Sequence, residues 1–173
     1  IKLETLGDYS TSTAGSLTNL GLLLWKAGDD DAAIANHERA LAIFEHAYGP
    51  KHRSVAGTSL NLAKALHSAG RDAEALPVIE RALAIVHEAE NDAPGLEVML
   101  LNTQAGVLDH LDRLDQAELA YAAELELLIT MYGEDAPELA SALLGLAEVA
   151  AREGDYAAAI DHAEHVLALQ PDD

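Results

Sequence analysis

The six residues Glu38–Ile43, ERALAI, recur at Glu80–Ile85, 42 positions further on. The same spacing runs the length of the chain: Gly28, Gly70, Asp112 and Gly154 form one series, Ala33, Ala75, Ala117 and Ala159 a second, and Gly21, Ala63, Ala105 and Ala147 a third. Four copies therefore share one frame without insertion or deletion, at about 12–53, 54–95, 96–137 and 138–173. A fixed period of this length points to stacked supersecondary units, because one unit cannot hide its apolar face alone and each copy must cover the next. Ile1, Leu6, Gly7 and Ser12 lie one period before Ile43, Tyr48, Gly49 and Ser54, so residues 1–11 read as the tail of a preceding copy.

Inside each copy the apolar residues fall at helical spacing, as in Leu17, Leu20, Gly21 and Leu24 and then Ala33, His37, Ala40, Leu41 and Phe44. Each copy is thus two amphipathic helices, broken at the Gly/Asp series, with early Asp residues able to cap the second helix. The clusters YGPKHRS, ENDAPG and YGEDAP separate the copies as turns. The pattern predicts helices at about 12–27, 30–47, 54–69, 72–89, 95–111, 114–131, 137–153 and 156–169. Pro77 falls inside the fourth, near its start, and is expected to bend that helix without ending it. Aromatics are only 4% of the chain while Ala and Leu dominate, which favours an all-helical protein.

The charge narrows the partners. Thirty acidic against ten basic side chains give a net charge of −20, which repels nucleic acid and anionic lipid and favours a basic protein or peptide, although such acidity also simply keeps a large helical surface soluble. With no cysteine, disulfides, thiolate metal sites and thiol nucleophiles are excluded. No apolar run reaches membrane-span length. The opening IKLETLGDYS is neither a signal peptide nor a Met start, so a cytoplasmic segment of a longer polypeptide is expected.

These offsets resemble the tetratricopeptide repeat, whose pattern falls on Leu17, Leu20, Gly21, Leu24, Gly28, Ala33, His37 and Ala40. The last copy gives Leu143, Leu146, Ala147, Ala150, Gly154, Ala159, Ala163 and Val166, with Pro171 where the family's closing proline falls. The 42-residue spacing, with SLNLAKAL, ERALAI and AYGPKHRSVA, is similar to the kinesin light chain type, also frequent in signalling proteins. The resemblance implies a right-handed α–α superhelix forming a single array over 1–173, and a non-catalytic scaffold that holds a peptide or helix of another protein. An alternative is an intramolecular regulatory or oligomerisation segment of a larger signalling protein. A sensor for a metal or small ligand is a third, more remote class.

In the family the first helix of each pair lines a concave groove. The resemblance places Asn19, Leu22 and Lys26 there in the first copy, Asn61, Lys64 and His67 in the second, Asn102, Thr103 and His110 in the third and Arg152 in the fourth. Asn19 and Asn61 match groove asparagines whose amides pair with the backbone of an extended peptide, while Asn102 is displaced by one position. Lys26, Lys64 and Arg152 add positive charge, but only part of a carboxylate-clamp set is present. Trp25, the only tryptophan, is expected to pack rather than to anchor a ligand. Gln104 and Glu124 are polar where other copies carry Leu and Ala, and their side chains are expected to meet and hydrogen-bond, because an unpaired buried carboxylate is costly. With an upstream neighbour and a polar capping helix both missing from the pattern, apolar end faces and self-association are expected.

Catalytic motifs are lacking. His162 and His165 stand three apart on one helix, but two imidazoles fall short of the three or four ligands of a zinc site. DHAEH has not the spacing of a metalloprotease helix, and AGDDDAAI not the alternation of a calcium loop. No metal or cofactor is implied.

Overall fold

A computed structural model of the chain describes residues 10–88 and 93–169. Most of the expected upstream tail, and Pro171, lie outside the described residues. The chain divides into two compact units, one up to Asp92 and one from Ala93. The first contains α1 (Thr11–Lys26), α2 (Asp30–Tyr48), α3 (Arg53–Ser68) and α4 (Asp72–Glu88). The second contains α5 (Pro94–His110), α6 (Leu114–Tyr132), a 3₁₀ turn (Pro137–Leu139), α7 (Ala140–Glu153) and α8 (Tyr156–Ala168). Among the described residues the secondary structure is helical throughout.

The helices form where the 42-residue frame puts them, and one start differs. The seventh was expected from 137, but Pro137–Leu139 form a 3₁₀ turn and the α-helix begins at Ala140. Pro137 occupies the first position of that turn, where a missing N–H costs nothing, and Leu139 N–H closes it on Ala136 O at 3.1 Å. Pro77 leaves α4 unbroken as far as Glu88. Side chains cap the starts: Ser10 Oγ accepts from Thr13 N–H at 3.1 Å, Asp29 Oδ1 from Ala32 N–H at 3.2 Å and Asp155 Oδ1 from Ala158 N–H at 3.1 Å.

The turn inside every hairpin is the same. Asp29, Arg71, Arg113 and Asp155 each donate their N–H to a carbonyl five residues back, on Leu24, Leu66, Leu108 and Ala150, at 2.8–2.9 Å. This closure requires a left-handed residue just before the donor, supplied by Gly28, Gly70 and Gly154 and, in the third hairpin, by Asp112 at φ 59°. Aspartate tolerates that region better than most residues, and here its carboxylate is also held by Arg152 Nη2 at 2.8 Å.

Small residues set the approach of paired helices. Ala14, Ala33 and Ala40 are fully buried between α1 and α2, where Leu17, Ile43 and Phe44 complete a core cluster. In the second unit Leu128, Leu139, Ala142, Leu143, Val166 and Leu169 form a corresponding cluster joining α6, α7 and α8. His37 of α2 is 1% exposed, its ring lies against Gly21 of α1, and neither ring nitrogen has a hydrogen-bond partner. Burial lowers its pKa, so the ring is neutral near pH 7.

The polar intrusion in the second unit is resolved differently from the sequence expectation. Glu124 of α6 is 2% exposed and does accept hydrogen bonds, but from Asn102 Nδ2 of α5, at 3.1 and 3.0 Å to its two oxygens, and from Ser141 Oγ of α7 at 3.2 Å. Gln104 is half-buried and is not among its partners. The reason lies in the column: Leu62 and Leu146, its equivalents in α3 and α7, are buried in helices that follow another hairpin within their unit, whereas Leu20, in the first helix, is exposed. In α3 and α7 that position therefore faces the preceding hairpin rather than the helix's own partner.

Burial pushes the Glu124 carboxyl up, against the lowering effect of the Asn102 and Ser141 hydrogen bonds. A folded pKa above the unfolded value gives stability that is fully present below about 4.5 and is lost as pH rises through the folded pKa, so the ionised group is a burden at neutral pH. Glu124→Gln keeps the shape and the acceptor oxygen. Urea unfolding should show it more stable than the parent at pH 7 by about 1 kcal/mol, with the gap closing on acidification.

Candidate functional site

Between α1 and α3 the first unit has an open pocket of about 350 Å³, lined by Gly15, Thr18 and Asn19 of α1, Phe44 of α2 and Ser54, Gly57, Thr58 and Asn61 of α3. The lining is in register, since Gly15 and Gly57, and Asn19 and Asn61, are each one period apart. The glycines create the space: a Cβ on either would meet nothing within 4 Å. Thr18 Oγ1 is used internally, donating to Ala14 O at 2.9 Å. The two asparagine amides have no hydrogen-bond partner among the described residues, and Asn19 is exposed and Asn61 half-buried at the rim. Two primary amides in a pocket also lined by Phe44 can offer donors and acceptors to a main chain laid across them.

The other candidates of the first unit are mixed. Lys26 is exposed and Leu22 half-buried. Lys64 is half-buried, burial lowers its pKa, and it has no carboxylate partner among the described residues. His67 is engaged, with Nδ1 2.5 Å from Asp72 Oδ1. Trp25 is half-buried.

In the second unit the equivalent positions are spent on the fold. Asn102 holds Glu124. Thr103 Oγ1 donates to Met99 O at 2.7 Å. Arg152 binds the Asp109 carboxylate, the Asp109 carbonyl at 2.8 Å and Asp112 Oδ1 at 2.8 Å. His110 is exposed. Met99 and Ser141 stand where the first unit has Gly15 and Gly57, and the Tyr121 ring lies against Gly145, the counterpart of Asn19 and Asn61. Sequence reasoning missed this Tyr121–Gly145 contact; the signal was a bulky residue in the His37 column together with a glycine in the asparagine column. Around His162 and His165 no group of three or more ligating side chains gathers among the described residues. No helix among the described residues is long and apolar enough to cross a membrane.

The model of the Tetratricopeptide repeat family matches residues 12–87 and 96–172. The chain belongs to this family. A search of curated proteins finds no match. Among solved structures, BtubC (BKLC) from P. vanneervenii is similar with a TM-score of 0.81 and 18% identity, over 92% of this chain and 66% of that one. A putative kinesin light chain from Podosopora anserina, with nearly identical TPR-like repeats, gives 0.79 and 20%, over 96% of this chain and 79% of that one. A Rap protein complexed with Competence and Sporulation Factor gives 0.79 and 16%, over 97% of this chain. The chain spans just under two thirds of BtubC and 45% of the Rap chain. At these identities the likeness is one of fold: repeated helical hairpins of the tetratricopeptide kind. Proteins of this family are in general interaction scaffolds.

Proposed function

We propose that this chain is a non-catalytic, cytoplasmic interaction module that holds an extended peptide of a protein partner across the α1–α3 pocket. The observation that carries the reading is the pair of unengaged amides, Asn19 and Asn61, one repeat apart over an apolar pocket. Their equivalents in the second unit, Thr103 and Gly145, are internally bonded or covered. The complex of the Rap neighbour with Competence and Sporulation Factor supports the reading that this fold holds a separate factor. The net charge of −20 favours a segment carrying Lys or Arg, drawn in by long-range attraction.

The test is selection of binders from a random peptide library on the 173-residue chain, followed by affinity measurement with Asn19→Ala/Asn61→Ala. Two lost amide–backbone contacts, at about 0.5–1.5 kcal/mol each, should weaken binding by roughly five- to 150-fold without changing the melting temperature. Equal affinities would move recognition off this pocket. A second reading, self-association, is favoured by the exposed apolar side chains Leu23 on α1 and Leu167 on α8.

A further inference from the structure

Of the Lys and Arg side chains among the described residues, Arg71 and Lys64 are the two that are not exposed. Arg71 donates from Nε and Nη2 to the two carboxylate oxygens of Glu74, each at 2.8 Å. Lys64 has neither a hydrogen bond nor an ion pair among the described residues, although the chain carries thirty acids against ten bases.

The position accounts for the half-burial. On α3 Lys64 follows Leu60, 4% exposed, by one turn, and its chain neighbours Ala63 and Ala65 are fully buried. The same column holds Leu22 in the first copy, also half-buried, so the place suits an aliphatic chain. The next acid along the sequence, Asp72, is engaged 2.5 Å from His67 Nδ1. Desolvation without a balancing anion favours the free amine, and burial lowers the pKa of this group. The free amine is the nucleophilic form of lysine, and the side chain stays open enough for a small electrophile to reach it. The other two described lysines differ, since Lys26 is exposed and Lys51 is paired with Glu88 at 2.5 Å.

We propose that Lys64 is a modification site, an acceptor for a short acyl group delivered by an acyl phosphate. The amine lone pair attacks the acyl carbon, the N–C bond forms as the C–O bond to phosphate breaks, phosphate leaves with that electron pair, and the nitrogen gives up a proton to water. The product is a neutral amide, which keeps the aliphatic stem in place and removes a half-buried charge that has no partner. A carbamate formed from carbon dioxide would set an anion in the same half-buried place, so the neutral acyl group is the better fit. Because Lys64 lies one turn beyond Asn61 on α3, acylation also removes positive charge beside the pocket, yet the reaction itself needs no peptide.

The test is brief incubation of the whole 173-residue chain with acetyl phosphate near neutral pH, followed by peptide mapping by mass spectrometry. Acetyl groups should accumulate at Lys64 severalfold faster than at Lys26 or Lys51. In urea the three rates should converge, because unfolding returns the amine to water. Asn61→Asp places a carboxylate one turn before Lys64 and should slow Lys64 to the rate of Lys26 by pairing the ammonium form. Acetylation no faster at Lys64 than at the other two lysines, or a lead that persists in urea, overturns the assignment. A lead that survives Asn61→Asp overturns the missing anion as its cause.

Discussion

Replacing Gly21 with alanine should lower the stability of the first unit by about 2–3 kcal/mol, the cost of overpacking a close contact. A Cβ there would stand 2.7, 2.8 and 2.9 Å from Cε1, Nε2 and Nδ1 of His37, and the ring is enclosed, so it has no open side to swing into. The second hairpin contains the remedy: at the same two positions it pairs Ala63 with Ile79, both fully buried. Gly21→Ala/His37→Ile copies that pair and should regain the lost stability. It should even exceed the parent at mildly acid pH, since it removes an imidazole whose two nitrogens are buried without partners.

The pH dependence follows from the sign of the shift. Burial puts the folded pKa of His37 below 6.5, so the unfolded chain binds the proton more readily. Its contribution is intact above about 6.5 and declines as pH falls through that value toward the folded pKa, by at most about 1.4 kcal/mol per pH unit. Urea titrations of parent and double variant from neutral pH downwards should diverge in that direction. Parallel curves would mean that the ring reaches water or a partner.

Gly145→Ala should act on the second unit with comparable force, about 1–3 kcal/mol. The new methyl would lie well inside contact distance of Cδ1, Cε1 and Cζ of Tyr121, whose ring rests on the α7 backbone. Unlike His37, Tyr121 is only half-buried, so the ring can lift outward and exchange part of the strain for exposure. That leaves a spectroscopic mark. Burial, helped by Asp109, Glu124 and Glu148, pushes the phenol up to about 12, and a lifted ring should titrate closer to the ordinary value of 10. Difference titration against Tyr121→Phe isolates this phenol. A destabilised variant with an unchanged phenol would mean that the backbone, not the ring, gives way.

The helices were legible because a 42-residue period leaves no freedom in where they start and stop; seven of the eight expected starts, from 12 to 156, agree with the structure to within one residue. The exception, at Pro137, is local: periodicity marks which residues face inward but not whether the first turn closes on the third or fourth residue. Glu124 was recognisable as a buried acid needing partners, yet its partner was misassigned, because spacing tells which residues share a column and not toward which neighbour the column points. The pocket residues Asn19 and Asn61 came from the family pattern, while the difference between the units did not. Whether a groove position is free depends on contacts such as Asn102 with Glu124, or the Tyr121 ring on Gly145, that no single helix encodes.

Within each unit the joint between the two hairpins is fastened at one shared position, but by different chemistry. Ser68 in the first unit donates to Asp30 Oδ2 at 3.1 Å, and two periods later Arg152 in the second unit grips Asp109 and Asp112 through its guanidinium. A neutral hydroxyl contact is nearly indifferent to dissolved electrolyte, whereas an exposed ion pair worth up to about 1 kcal/mol weakens as counterions crowd in. Both joints are therefore springs whose stiffness the surrounding salt can tune, the second at this shared position and the first away from it, through the Arg81–Glu45 ion pair between α4 and α2 at 2.6 Å.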